Sequence, residues 1–232
     1  MSEKKWIVDV VIPAFNEENA IGNVLKDIPK MLVREIIVID NNSSDRTQDE
    51  ARNGGATVLE QHIQGYGAAC QKGLQYIAEK VDKPDIIVFL DADYSDFPEE
   101  MIDLIKPIQT DNMDMVIGSR ALGDSERGSM TPQQVFGNWL ATKMLKWIYG
   151  YTFSDLGPFR AIRYDRLLEI NMQDMNYGWT VEMQIKAAKL KMKCTEIPVK
   201  YRVRIGESKV SGTVKGTIGA GYKIITTLLK YA

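Results

Sequence analysis

Three apolar runs of the 232-residue chain end in polar clusters rich in carboxylates. Val8 to Ile12 leads into Pro13-Ala14-Phe15-Asn16-Glu17-Glu18, Ile36 to Ile39 into Asp40-Asn41-Asn42-Ser43-Ser44-Asp45, and Ile86 to Leu90 into Asp91-Ala92-Asp93. Carboxylates are the ligands that hard divalent cations take. A cation held at such a pair, with diphosphate oxygens completing its shell, would neutralise a leaving group that water otherwise has to solvate. Residues i and i+2 at a strand end can point to opposite sides, so Asp91 and Asp93 serve one ligand only if the chain turns between them. The alternative is that they begin an ordinary loop. Asp40, after a second strand, is placed to accept hydrogen bonds from a ribose or a base edge. It could also cap the next helix, as could Ser44 or Asp45. Gly65-Tyr66-Gly67, ahead of a helix, could let backbone approach a nucleotide or could form a plain turn.

The runs that carry these clusters are apolar, β-branched and of strand length, and stretches of helical spacing separate them. That alternation predicts an α/β fold with mostly parallel strands buried on both faces. If the strands are parallel, all three clusters fall on one edge of the sheet, where doubly wound folds bind ligands. The first helix is expected from about Glu17, with Ile21, Val24, Leu25 and Ile28 on its inner side. Further helices are expected over Asp45 to Ala51, Gly67 to Glu79 and Pro98 to Ile108, with short strands at Ala56 to Leu59 and Met115 to Ile117. Ala121 to Thr131 is polar and without period, and reads as a mobile loop. Helices at Pro132 to Tyr149 and Val181 to Leu190, a strand at Glu196 to Val203 and a final helix at Val214 to Tyr231 complete the pattern.

Several classes of function lose support. The 29 basic and 31 acidic residues nearly balance, which argues against wholesale nucleic-acid binding. Two distant cysteines, Cys70 and Cys194, have no partner at metal-ligand spacing and suit a reducing, cytoplasmic setting. The N-terminal residues lack the pattern of a signal peptide, and no apolar run approaches the roughly 20 residues that span a bilayer. Neither a phosphate-loop lysine motif nor Gly-X-Gly-X-X-Gly follows the first strand, so ATPase and dinucleotide oxidoreductase readings fall away.

In order and spacing, Val11 to Glu18, Val38-Ile39-Asp40 with Asn42 to Thr47, Asp91-Ala92-Asp93 and Gly118-Ser119-Arg120 form a specific set. With it the chain resembles the family 2 glycosyltransferases of the GT-A fold, in pattern nearest the polyprenyl-phosphate enzymes of the dolichol-phosphate mannose synthase type. The likeness continues through Phe159-Arg160-Ala161, Val181-Glu182-Met183 and Arg204 to Lys209, and covers nearly the whole chain. It implies a Rossmann-like, mostly parallel sheet flanked by helices, in one domain over residues 1–210. Residues 211–232 would form a C-terminal helix packing on that domain, on a dimer partner or on a membrane surface. It further implies that Pro13, Ala14, Phe15, Glu17 and Asp40 hold the nucleoside of a nucleotide-sugar, with Gly67 and Ala92 in the same donor set. Asp91 and Asp93 would work with Mg²⁺ or Mn²⁺ at the diphosphate, and Arg120, Arg204 and Lys209 match basic positions used for the donor diphosphate or an acceptor phosphate. Departures from the pattern are Ser95, where these enzymes usually carry glutamine, and Gln133, Gln134 and Val135, where they carry an arginine. Arg127 is a candidate substitute for that arginine.

An acceptor hydroxyl needs a general base, whereas an acceptor phosphate is already ionised near pH 7 and needs only positioning. The sole histidine, His62, lies away from every motif, which leaves Asp155 and Glu182 as acceptor-side candidates. Asp155 could instead hold its loop, and Glu182 could simply favour the first turn of a helix. In the final helix Ile218, Tyr222, Ile225 and Leu229 follow a helical period near Lys215, Lys223 and Lys230, a pattern of core, dimer contact or membrane surface. The expected function is an inverting transfer of a hexose from a UDP-glucose or GDP-mannose type donor to an acceptor, in first place a polyprenyl phosphate. The expected site is cytoplasmic, with peripheral membrane contact or homo-oligomerisation open. Transfer to a soluble or hydroxyl acceptor, a sugar nucleotidyltransferase and a silent binding module are the rivals.

Overall fold

The computed structural model describes residues 5–206 and 214–232. Seven strands form one sheet in the order β3-β2-β1-β4-β6-β5-β7. They are β1 (Val8–Ala14), β2 (Glu35–Asp40), β3 (Thr57–Glu60), β4 (Ile86–Phe89), β5 (Met115–Ser119), β6 (Arg160–Arg163) and β7 (Cys194–Pro198). Parallel pairing joins β3, β2, β1 and β4, and the register sets Ala14 beside Asp40 and Asp40 beside Glu60. The ends of the first three strands therefore stand level, and the polar clusters that follow β1, β2 and β4 share one edge.

Helices cover both faces: α1 (Ile21–Asp27), α2 (Thr47–Asn53), α3 (Tyr66–Glu79), α4 (Met101–Thr110), α5 (Pro132–Tyr149), α6 (Tyr164–Ile170), α7 (Trp179–Lys189) and α8 (Val214–Lys230). Strand pleating sorts the core into two layers. Val11, Ile37, Ile39 and Phe89 pack with Ala69, Ile77, Leu145 and Trp179 on the side of α3, α5 and α7. Val10, Ile12, Val38 and Val88 pack with Leu25, Leu104 and Ile105 on the side of α1 and α4. The C-terminal helix joins the first layer through buried Leu228, and the Tyr149 hydroxyl donates to the Leu228 carbonyl at 2.6 Å.

Local chemistry explains most element ends. Thr131 and Gln134 form a reciprocal capping box, Pro132 occupies the first turn, and Gly150 closes α5 at φ 70°. The first helix begins at Ile21 and not near Glu17, and an isolated turn in which the Glu17 carbonyl accepts from the Ala20 and Ile21 amides leads into it. Strand β7 is displaced from the expected Glu196 to Val203. Pro198 ends its pairing, and the chain beyond makes isolated bridges from Tyr201 to Asp96 and Ser125.

Strand β6 and helix α6 were not expected. Arg160-Ala161-Ile162-Arg163 carries an arginine at each end and hides its strand character, yet it inserts antiparallel between β4 and β5. Reversal of direction has a consequence for the site. The first residue of β6, Arg160, lies opposite Phe89 and Ile117, at the carboxyl ends of its neighbours.

The opposite edge is closed by charge. Asp9 is fully buried and receives the Arg34 Nε at 2.9 Å and the Lys80 Nζ at 3.0 Å, while Lys80 also reaches Glu35. Removing one member of such a buried set leaves the others uncompensated. Asp9→Asn is accordingly expected to lower the urea unfolding free energy by about 3 kcal/mol. An unchanged midpoint would show that water, not Asp9, balances Arg34 and Lys80.

Candidate active site

A cleft of about 410 Å³ opens at the carboxyl edge of β1, β2 and β4. Pro13, Ala14, Phe15 and Glu17 line it from β1 and the turn that follows, and Asp91, Ala92 and Asp93 from the end of β4. Asn41, Gln64, Gly65 and Tyr66 form a second side, Asn176 and Tyr177 a third, and Arg204 reaches in from the segment after β7.

A turn over Ala92-Asp93 follows Asp91, and both aspartates line the cleft, with a left-handed residue immediately beyond them. Tyr94 takes φ 62°, a conformation costly for a bulky residue and one that persists only where its surroundings enforce it. Here the Tyr94 hydroxyl bonds Asp27 at 2.5 Å, and the Arg202 guanidinium lies 3.6 Å from the Tyr94 ring and 3.8 Å from that of Phe97. Ser95 donates its amide (2.9 Å) and hydroxyl (2.5 Å) to Asp93 Oδ1. On the other oxygen of Asp93, Arg204 Nη1 stands at 3.1 Å, and Arg204 Nη2 also pairs with Glu17. Tyr66 donates its hydroxyl to Asp91 Oδ1 at 3.0 Å.

Burial and the neighbouring Asp93 charge push the Asp91 carboxyl up to about 7, although the Tyr66 hydrogen bond and the Arg120 and Arg204 charges oppose the rise. Asp96, three residues beyond Asp93, is buried with neither oxygen hydrogen-bonded among the described residues, and burial raises its carboxyl well above the usual range. So much buried acid concentrated at one strand end suits a divalent cation. All the donors are hard oxygens, and among the described residues no group of three or more His, Cys, Asp or Glu could hold a metal without help. Mg²⁺ or Mn²⁺ fits this donor set if it takes further ligands from phosphate oxygens and water.

Asp40, at the end of β2, is 2 % exposed. Its Oδ2 accepts from the Ser43 amide and the Gln48 side chain, while Oδ1 is buried without a partner among the described residues. Asn41 ties down the following loop, donating to the carbonyls of Gln61 and Ile63 and accepting from the Gly65 amide, each at 2.8 Å. Gly67 stands behind the cleft wall, not in it. A side chain there would meet the Asp174 carbonyl at 2.1 Å, so its bareness serves packing and not approach to a nucleotide.

Arg120 and Asp155 meet as a fork. Nε and Nη2 of Arg120 bond the two oxygens of Asp155 at 2.8 and 2.7 Å, and the Arg120 amide adds a third bond. Burial opposes ionisation of Asp155, but Arg120 overrides it and holds the carboxyl below its ordinary value. A carboxylate so stabilised is a weak proton acceptor and a firm anchor for Arg120. Glu182 is not on the cleft at all: it is wholly buried, bonded to the amides of Gln173 and Asp174, to Lys186 and to Tyr231. Its place in the first turn of α7 is structural. His62 is exposed against Asn42, Arg127 is exposed between β5 and α5, and Lys209 lies outside the described residues.

Four contributors escaped the sequence reading. Tyr66 sits between two glycines and reads as turn, and Asn176 and Tyr177 belong to a segment without period. Arg160 stood inside a quoted motif without a role. It is wholly buried, donates to the carbonyls of Leu156, Gly157 and Thr180, and burial pulls its pKa down to about 10.

Several known proteins are similar to this chain over most of its length. A dolichyl-phosphate hexose transferase of Haloferax volcanii is 32% identical over 95% of this chain and 93% of its own length. An undecaprenyl-phosphate mannosyltransferase of Micrococcus luteus is 28% identical over 89% of this chain and 88% of its own. Among solved structures, glucosyl-3-phosphoglycerate synthase of Mycobacterium tuberculosis, in complex with Mn²⁺, UDP-glucose and phosphoglyceric acid, shares the fold. It matches at a TM-score of 0.76 and 23% identity over 97% of this chain and 79% of that one. Residues 9–170, which carry the three strand-end clusters and β6, match the model of glycosyl transferase family 2, and the chain belongs to that family.

Proposed function

We propose that the protein is an inverting, metal-dependent hexosyltransferase that moves a sugar from a nucleotide diphosphate to a polyprenyl phosphate. The observation that carries the acceptor half is the state of the carboxylates. Asp155 is committed to Arg120 with its pKa lowered, and Glu182 is buried away from the cleft. With neither Asp155 nor Glu182 poised as a base among the described residues, an acceptor that arrives already ionised suits the site better than a hydroxyl. The names of the Haloferax and Micrococcus relatives point the same way.

In this reading Asp40 and Asn41 hold the nucleoside. A bound Mg²⁺ or Mn²⁺ would supply charge neutralisation at the diphosphate. Asp91 and Asp93 hold that cation, and Arg204 exchanges its contacts with Glu17 and Asp93 for the diphosphate oxygens. Arg120, braced by Asp155, faces the acceptor phosphate and orients it for attack at the anomeric carbon from the side opposite the leaving group. Lys209 would add a further cation from the segment that follows.

The proposed acceptor lives in a bilayer, and the outer surface of α5 and α8 suits one. Val135, Phe136, Trp139 and Trp147 are exposed on α5, and Tyr222 and Leu229 on the adjoining α8. Aromatic residues with lysines nearby favour the headgroup region of anionic membranes. No described helix is long and apolar enough to cross a membrane, so contact by this face would be peripheral.

Transfer of labelled sugar from UDP-glucose or GDP-mannose to polyprenyl phosphate, with Mn²⁺ and without, tests the function. Product is expected only with metal, and Asp93→Asn is expected to lose metal-dependent nucleotide binding in calorimetry. Wild-type protein that binds no nucleotide with either metal would overturn the reading. Asp91 yields a second expectation. Folding raises its pKa from 3.8 to about 7, so the native state prefers it neutral, and stability falls as pH rises through that window. Asp91→Asn should therefore stabilise the ligand-free protein at pH 8 by about 2 kcal/mol while weakening metal-dependent binding, a trade typical of functional sites. For the membrane face, Trp139→Ser with Trp147→Ser should reduce cosedimentation with phosphatidylglycerol vesicles about fivefold. Equal sedimentation would remove α5 from the contact.

A further inference from the structure

The segment 171–178, between α6 and α7, supplies Asn176 and Tyr177 to the cleft and has no helix or strand of its own. It is held from two sides. Toward the cleft, the Met175 carbonyl accepts from the Ala68 amide at 2.9 Å. Side chains at Gly65 and Gly67 would each come within 2.1 Å of a carbonyl oxygen, that of Met175 and that of Asp174 respectively. The segment thus lies backbone to backbone on the start of α3, around the residue whose hydroxyl bonds Asp91.

From behind, two buried carboxylates organise its amides. Glu182 accepts from Gln173 N at 3.0 Å and Asp174 N at 2.6 Å, and Asp174 Oδ1 accepts from Asn176 N at 2.7 Å and Gly178 N at 3.1 Å. Each carboxylate is met in turn from α8. The Tyr231 hydroxyl donates to Glu182 Oε1 at 2.8 Å, and Lys223 Nζ stands 2.9 Å from Asp174 Oδ2. Lys223, Thr227 and Tyr231 are spaced at i, i+4 and i+8, so one stripe running from α8 into its C-terminal turn makes all these contacts. Between the stripe and the segment remains a cavity of about 210 Å³. Close packing therefore does not fix the separation, and the polar contacts do.

We infer that Tyr231 and Lys223 are positioning residues for the donor cleft: through Glu182 and Asp174 they set segment 173–178, and with it Asn176 and Tyr177. The inference rests on the reading of the cleft as a nucleotide-sugar site. It gives the C-terminal helix a part in donor recognition although none of its described residues lines the cleft.

The test is a Tyr231→Phe, Lys223→Met double variant of the full chain, with each single variant and Lys223→Arg beside it. Calorimetry with UDP-glucose and GDP-mannose in Mn²⁺ should show donor Kd raised about tenfold in the double variant and restored by Lys223→Arg in the Lys223 single series. Donor KM should rise with acceptor KM and kcat unchanged. Amide hydrogen exchange at Asp174, Asn176 and Gly178 should quicken while that of β1 and β4 does not. Tyr151→Phe, which deletes a hydroxyl contact to the Met192 carbonyl in the same core layer, controls for a general loss of stability. It should leave donor Kd and segment exchange as in wild type. A double variant with unchanged exchange, or with quickened exchange and donor Kd within twofold of wild type, would overturn the inference. Wild-type protein that binds neither nucleotide-sugar would instead overturn the donor reading on which the inference depends.

Discussion

Two aspartates, two residues apart at the end of a buried strand, repel each other and resent the loss of water. Much of the carboxyl edge of the sheet exists to keep them there. Just beyond them Tyr94 accepts an unfavourable backbone angle, and Arg202 is clamped between its ring and that of Phe97. Ser95 and Arg204 share Asp93, and Tyr66 takes Asp91. The elevated pKa of Asp91 is the residue of tension these partners leave unrelieved. Unrelieved repulsion of this kind is common at functional sites, and a counter-charge would relieve it.

Charge elsewhere on this edge is organised by the same logic of paired opposites. Arg120 is permanently engaged by Asp155, so its guanidinium is held in one orientation. Arg204 is shared between Glu17 and Asp93, a looser arrangement that an incoming anion can compete for. One arginine is thus fixed and the other exchangeable. That division suits a reaction in which one phosphate must be oriented and another must be released.

The alternation of β-branched runs with helical spacing made the sheet and its functional edge legible, because parallel strands buried on both faces have no other way to be written. The helix expected over Pro132 to Tyr149 coincides with α5, which Thr131 with Gln134 and Gly150 cap at its ends. What stayed hidden was whatever depended on pairing across long separations. Arg160 to Arg163 looks like a charged loop until β4 and β5 lie on either side of it. Tyr66 gains meaning only from Asp91, 25 residues away in the chain. Glu182 and Asp155 show the converse: a carboxylate inside a recognisable motif suggested chemistry, and the partners that disarm it lie in other elements. Gly67 had a legible backbone and an illegible reason, since the carbonyl it accommodates arrives from residue 174.

Arg160 constrains how the molecule can assemble. Its guanidinium is wholly buried, and its hydrogen-bond partners among the described residues are carbonyl oxygens, from Leu156 and Gly157 just before it and from Thr180 at the start of α7. Burying that charge before those carbonyls are in place would cost several kcal/mol. Strand β6 therefore closes the gap between β4 and β5 most readily once the turn at 156–157 and the first turn of α7 have come together. The strand antiparallel to its neighbours thus relies on α7, outside the sheet, to solvate its buried charge. A chain stalled before that step would present β4 and β5 as open edges, which is the state most exposed to mispairing with another molecule.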